Sequence, residues 1–213
     1  MDYSQWFSKM NHIVSTIKKS GGVVTELVVK GPVKEPDVSN VEKGLGIKIP
    51  SSYKKVLLED FSYLEWNWEI PENLNLDERF EEIYGSRGVL GLTELVECEL
   101  KRRELVEDIF NEQDNLYDKI WQRKLAFFDV GNGNLFAFDL MSDKEDPPVV
   151  YLNADDDELH GTVLGDNFID FMEKWSKIGF VSGETWNLIP FLGSNGIDSE
   201  GVNAQVWRKI LNL

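Results

Sequence analysis

Few side chains in this sequence have the chemistry of a reaction centre. The single cysteine, Cys98, is set between Glu97 and Glu99. A cysteine nucleophile works as its thiolate, which positive surroundings stabilise and flanking carboxylates do not. Lys101, Arg102 and Arg103 would offset those carboxylates only by folding back, so Cys98 reads as an ordinary half-buried helix cysteine. The histidines are His12 and His160, and neither has a histidine at helical spacing or a cysteine pair, the ligand patterns that zinc sites draw on. The run Asp155-Asp156-Asp157-Glu158-Leu159-His160 offers hard oxygen ligands. It lacks the alternating spacing and central glycine of a calcium loop, and reads as a solvated acidic loop with at most weak, adventitious binding of Ca²⁺ or Mg²⁺. Gly131-Asn132-Gly133-Asn134 superficially resembles a phosphate cradle, but it has no lysine and no following helix start. A hairpin turn accounts for it. No GxSxG, HExxH or kinase-type motif occurs. The expectation is a non-enzymatic protein with no cofactor and no metal.

What the chain has in abundance is acid. In its 213 residues, 38 Asp and Glu face 22 Lys and Arg, a net charge of −16. Such a surface repels phosphate backbones and anionic lipid heads, so nucleic acid and membrane surfaces are disfavoured as partners. The acids cluster twice. Residues 65–82 hold seven acids and one base, and residues 142–160 hold the same numbers. Trp66-Asn67-Trp68 lies inside the first cluster, and rigid aromatic rings set among charges can anchor an interface. On a period of two, Trp66 and Trp68 share a face with Leu64, which favours the core for both.

The elements that must carry these residues are readable in outline. Trp6, Met10, Ile13 and Ile17 form one helical face, stopped by Gly21-Gly22. VVTELVVK, residues 23–30, reads as a strand. A helix from Pro36 and a second from Pro50 fill 36–60, joined by a glycine-bounded link, and residues 62–70 read as a strand. Gly88–Leu92 is a short strand leading into a helix over about 94–110 capped by Thr93, highly charged and at least half solvated. Leu125–Val130 and Leu135–Leu140 form a hairpin, and Val149–Leu152 adds a third strand. Asp166 or Asn167 caps a helix with Phe168, Phe171, Met172, Trp175 and Ile178 on one face. A loop over 181–198 carries Trp186 and Phe191, and a last helix uses Val202, Val206 and Ile210. Helices, then strands, then helices predict an α+β fold. The absence of any long apolar run or basic leader, and the lone cysteine, suit the cytoplasm.

Four segments occur in a telling order: EPDVSNVEKGLGIKIPSSYKKVLL at 35–58, GVLGLTEL at 88–95, LAFFDVGNGNLFAFDL at 125–140, and PPVVYLNADDDE at 147–158 followed by GDNFIDFMEKW at 165–175. Together they resemble the SUKH superfamily, which includes cell-wall synthesis regulators of the Smi–Knr type. The resemblance covers about residues 35–178. It implies an α+β fold with helices around a curved antiparallel sheet, in one domain over 1–213 with extensions at 1–34 and 179–213. The sequence departs from the family pattern in three places. Asp60-Phe61-Ser62-Tyr63 replaces a glycine-rich turn, Gly133-Asn134 replaces Gly-Asp in the hairpin, and the extensions do not align.

The resemblance implies binding rather than catalysis, since many bacterial members look like immunity proteins that neutralise a cognate toxin in the cytoplasm. The leading expectation is therefore an immunity protein against a nuclease-type bacterial polymorphic toxin with a basic surface, because nucleases hold phosphates on basic surfaces. An acidic inhibitor can compete for that surface and be steered to it. The candidate contacts are Glu65, Glu69, Glu72, Asp77, Glu78, Asp155, Asp156, Asp157 and Glu158, with Trp66 as a lesser anchor. The alternative is a regulatory scaffold of the cell-wall type with several protein partners. A third class, an enzyme using clustered carboxylates and a metal, predicts stabilisation by divalent ions.

Overall fold

A computed structural model describes residues 4–74, 76–86, 88–155 and 159–213. The chain begins with α1 (Ser4–Lys19), β1 (Val23–Lys30), α2 (Glu35–Leu45), α3 (Ser51–Glu59) and β2 (Tyr63–Glu69). After a turn of 3₁₀ helix at Glu78–Phe80 come β3 (Val89–Gly91), α4 (Leu92–Asp108) and α5 (Leu116–Trp121). The strands β4 (Lys124–Asp129), β5 (Leu135–Asp139), β6 (Val149–Leu152) and β7 (Val163–Gly165) follow. The C-terminal part holds α6 (Phe168–Lys177), α7 (Thr185–Leu188), β8 (Leu192–Gly193), β9 (Gly196–Ile197) and α8 (Val202–Leu211). The fold is α+β, as its order of elements predicts.

The antiparallel strands divide into a three-stranded sheet, β1-β2-β3, a four-stranded meander, β4-β5-β6-β7, and a small β8-β9 ribbon. The two larger sheets meet where β3 lies against β4. In β2, strict alternation turns Leu64, Trp66 and Trp68 into the main core and leaves Tyr63, Glu65, Asn67 and Glu69 half-buried on the other side. The meander differs, because β5 and β6 are almost wholly buried on both sides. Its inner side joins the main core. Its outer side forms a second cluster from Ala126, Leu135, Ala137, Val150 and Leu152, covered by Cys98, Phe110 and Trp121.

A bulge serves this arrangement. The β4–β5 register shifts between Ala126 and Phe128, so the consecutive rings of Phe127 and Phe128 both enter the main core while Ala126 faces the second cluster. The backbone N–H of Ala126 donates to the Glu99 carboxylate at 3.1 Å. Glu99 also receives Arg102 at 2.8 Å and Arg103 at 2.8 Å, and Arg102 donates to the Trp121 carbonyl at 2.7 Å. One buried carboxylate thus ties α4 to β4, and its arginine partner reaches α5. Neither the buried Glu99 nor α5 was expected from the sequence, where α4 shows mainly its charge.

Local chemistry explains the motifs. The link after α2 turns on Gly46 (φ 68°), a left-handed position that favours glycine. Buried Glu42 accepts from the Ile49 N–H at 3.2 Å and from Lys48 at 2.6 Å, closing the same link. The Asn167 side chain caps α6 by accepting from the Asp170 N–H at 3.0 Å. A Cβ on Gly165 would come within 2.6 Å of the Phe171 backbone, so only glycine lets β7 lie this close to α6.

Three local expectations are corrected. Helix α4 starts at Leu92, directly after the strand, with Gly91 at the cap position, and Thr93 lies inside the first turn without capping it. Residues 181–198 are not an uninterrupted loop but hold α7, a 3₁₀ turn and the β8-β9 ribbon, with Phe191 buried and Trp186 half exposed. Helix α8 fully buries Ala204, Trp207 and Leu211, while of the expected face Val206 and Ile210 are only half-buried against the core and Val202 is 74% exposed. Both faces have helical spacing. The larger area of the indole, tilted against Phe80 at 5.3 Å between ring centres, selects the face that carries it.

Candidate partner-binding surface

The first acidic cluster starts on β2, and the β-sheet period decides which of its residues reach solvent. Trp66 does not. It is 1% exposed, lies 5.3 Å from Trp175 and 5.6 Å from Phe180, and its indole N–H donates to the Phe180 carbonyl at 3.3 Å. The expectation of Trp66 as an interface anchor is therefore corrected, and its ring belongs to the core. Four tryptophans share one structural task. Trp207, Trp68, Trp66 and Trp175 donate to the carbonyls of Ile178, Gly179, Phe180 and Val181 respectively, at 2.8–3.3 Å. These bonds satisfy four consecutive backbone acceptors just beyond α6, where Gly179 and Phe180 both have positive φ. No local pattern reveals this, because three of the four donors come from β2 and α8, far from the acceptors in sequence.

Glu65 and Glu69 share the outward side of β2. Across β1, Val28 stands opposite Glu65, Thr25 opposite Asn67, and Val23 opposite Glu69. Cross-strand partners lie on the same face, so the two carboxylates are set among Val23, 63% exposed, and Val28, 38% exposed. At one end the Tyr63 hydroxyl donates to Glu65 at 2.5 Å, which pushes the phenol up to about 12, and the Lys30 ammonium sits 4.1 Å from the Tyr63 ring centre. The result is an open sheet face with apolar patches beside two carboxylates, of which Glu65 is held by Tyr63.

The remaining candidates are spread wider. Glu72, Asp77 and Glu78 are exposed on the segment after β2. Asp77 is locally neutralised, since Arg79 grips both of its oxygens at 2.7 and 2.9 Å and holds its carboxyl down at about 2. Asp155 is exposed beyond β6, its backbone N–H bound by the Asn153 side chain at 2.6 Å. Asp156, Asp157 and Glu158 lie outside the described residues. The two clusters thus follow strands of different sheets. Other acids of the second cluster are structural: Asp146 accepts from the Ser52 hydroxyl at 2.5 Å, and Asp143 pairs with Arg123 at 2.8 Å.

The groups considered for catalysis have other occupations. Burial, with the Asp129 charge next, pushes the Cys98 thiol up to about 12, far from a reactive thiolate. His160 accepts the Asn153 N–H at Nδ1 (3.0 Å), lies 3.0 Å from the Tyr117 carbonyl through Nε2, and stacks on the Tyr117 ring. Among the described residues no group of three or more His, Cys, Asp or Glu side chains is placed to hold a metal ion. No helix among them is long and apolar enough to cross a membrane.

The departure at Asn134 has a clear consequence. Its buried amide donates to the Tyr151 hydroxyl at 2.9 Å and accepts from the Ala154 N–H at 2.8 Å, a pairing that uses both ends of the amide. Asn132, at the tip of the same turn, donates to Glu184 at 2.5 Å, so the glycine turn joins the C-terminal extension. The turn itself needs Gly131 and Gly133, with φ of 108° and 98°.

No match was found among curated proteins. The glycine-turn hairpin, the closed link after α2 and the capped α6 all lie within one matched span: the family model described as SMI1 / KNR4 family (SUKH-1) covers residues 32–174, and the chain belongs to that family.

Proposed function

We propose that this chain is an immunity protein that binds and neutralises a protein toxin. The family to which it belongs is one of toxin-immunity and regulatory proteins, not typically catalytic, and implies a protein partner. The observation that carries the reading to this chain is the outward face of β1-β2-β3. Glu65 and Glu69 stand there among Val23 and Val28, on a sheet whose opposite face is core. Exposed apolar side chains supply contact area, and the carboxylates select a partner with basic groups at matching positions. Glu72, Glu78 and Asp155 extend the negative field, which speeds encounter more than it tightens the complex. Asp77 is a weak member of this set because Arg79 already occupies it.

A basic partner surface fits a nuclease, whose substrate is a polyanion, and the inhibitor would then work by occluding that surface in the cytoplasm. The test is co-expression of this chain with candidate toxins encoded beside it, followed by co-purification. Rescue of growth together with a stable complex supports the reading. Several partners, none of them toxic, would move the assignment to the regulatory scaffold. A complex whose affinity ignores both salt and the Glu65→Lys, Glu69→Lys pair would remove this face from the mechanism.

A further inference from the structure

A cavity of about 410 Å³ opens between α1, α6 and α8, and its walls include Lys9, His12, Ser176, Lys177 and Arg208. Three basic side chains around one cavity are unexpected in a chain of net charge −16. Two have a structural explanation. Lys177 and Arg208 lie in the last turns of α6 and α8, where cations complement the helix dipole. They also share Glu200, at 2.6 and 3.3 Å.

Lys9 has no such explanation. It stands in the middle of α1, and its ammonium donates to the Ser176 hydroxyl at 3.0 Å. Among the described residues no carboxylate comes within ion-pair distance of it. Burial, then the nearby Lys177 charge, holds the Lys9 ammonium below its usual value, with Arg208 adding to the effect and Glu173 offsetting part of it. The half-buried Lys9 ammonium thus has a hydroxyl partner in Ser176 and no carboxylate at ion-pair distance among the described residues. His12 follows one turn later on α1, with Nε2 at 2.6 Å from the Asn212 carbonyl. Lys9, Lys177 and Arg208 all lie outside the residues matched by the family, whose match ends within α6, so the cations of the cavity come from beyond the matched span.

We propose that this cavity is a binding site for a small oxyanion, a phosphate or carboxylate group, held by Lys9 and the Ser176 hydroxyl with Lys177 and Arg208 supplying the surrounding positive field. The anion would complete the charge balance of Lys9 and join the N-terminal helix to the two helices beneath it. The site is independent of the sheet face that carries the toxin-binding reading.

The test follows thermal unfolding of the full chain while inorganic phosphate replaces chloride at constant ionic strength and pH 7, with acetate in a parallel arm. Binding to the folded state raises the melting temperature along a saturable curve, whereas a solute excluded from the surface gives no saturation. Saturation in the phosphate arm alone assigns a phosphoryl group, in the acetate arm alone a carboxylate, and in both an oxyanion in general. Lys9→Gln is expected to weaken that binding about tenfold or more, the effect of losing one charge-assisted bond, while the exposed Lys43→Gln leaves it unchanged. In chloride, Lys9→Gln should melt no lower than the parent chain, because an unbalanced cation has been removed. A purely structural role in holding Ser176 predicts the opposite. Lys177→Gln repeats the test if Lys9→Gln does not fold. Absence of saturation in both arms, or an identical curve from Lys9→Gln, overturns the proposal.

Discussion

The two larger sheets are built by opposite rules. In β1-β2-β3 the strand YLEWNWE alternates, and one face stays with solvent. In the meander, LFAFD and VVYL are nearly continuous apolar runs, and both faces are covered. The cover on the outer side is α4 and α5, fastened through Glu99 and Arg102. A sheet closed on both sides can hold a fold together but has little left to offer a partner. A sheet with one open face can present side chains whose replacement does not disturb the core. The comparison makes the meander the part that holds the fold together and leaves the first sheet as the face proposed for recognition.

The strongest way to break that assignment is to unfasten the cover. Glu99→Ala leaves Arg102 buried without its carboxylate and the Ala126 N–H without its acceptor. Loss of a buried partner of this kind costs about 3–5 kcal/mol, to be read by denaturant unfolding. A loss below about 1 kcal/mol would mean that water replaces the carboxylate and that α4 is held by apolar contact alone. Next is Leu152→Ala, fully buried in the second cluster, with an expected cost of about 2–5 kcal/mol. A result near zero would show that the outer side of the meander is not a true core.

The first sheet should respond the other way. Glu65→Gln with Glu69→Gln is expected to change stability by less than about 0.5 kcal/mol per site, because these side chains are half-buried on the open face. The same pair should reduce the affinity for the proposed toxin partner and flatten its salt dependence, measured by titration at two ionic strengths. A large stability loss would instead make this face a covered one. The smallest expected effect concerns Asp77, whose carboxyl titrates at about 2 because Arg79 binds it. Its folded value is depressed, so whatever the pair contributes is present above the ordinary carboxylate range and is lost as pH falls through about 2. An NMR titration should show that midpoint in the parent chain and an ordinary aspartate in Arg79→Gln. An ordinary aspartate midpoint in the parent chain would mean that Arg79 does not hold Asp77 in solution.

Much of this was legible in the residues. The α1 face of Trp6, Met10, Ile13 and Ile17, the β2 alternation, the glycine turn and the Asn167 cap are each written within a few positions of one another, because each rests on a local period or a local hydrogen bond. The four ordered segments also carried the family, and the match over 32–174 follows them.

The candidate surface was legible only in part. Composition marks where acids accumulate, yet it cannot say that Asp77 is taken by Arg79, or that Asp146 serves Ser52. The order of the main helices and strands, the α+β class, the excess of acid and the family were all readable from the residues, since these follow from chain-local patterns and from the sum of the charges, whereas the short α5, α7 and β7–β9 were not. The tertiary structure decided which of two faces α8 buries, that Trp66 belongs to the core, that Glu99 is enclosed, and that Lys9 meets Lys177 and Arg208 around one cavity. Each of those depends on elements far apart in the chain, and the free energy of such contacts comes from the partner each residue meets rather than from its neighbours in sequence.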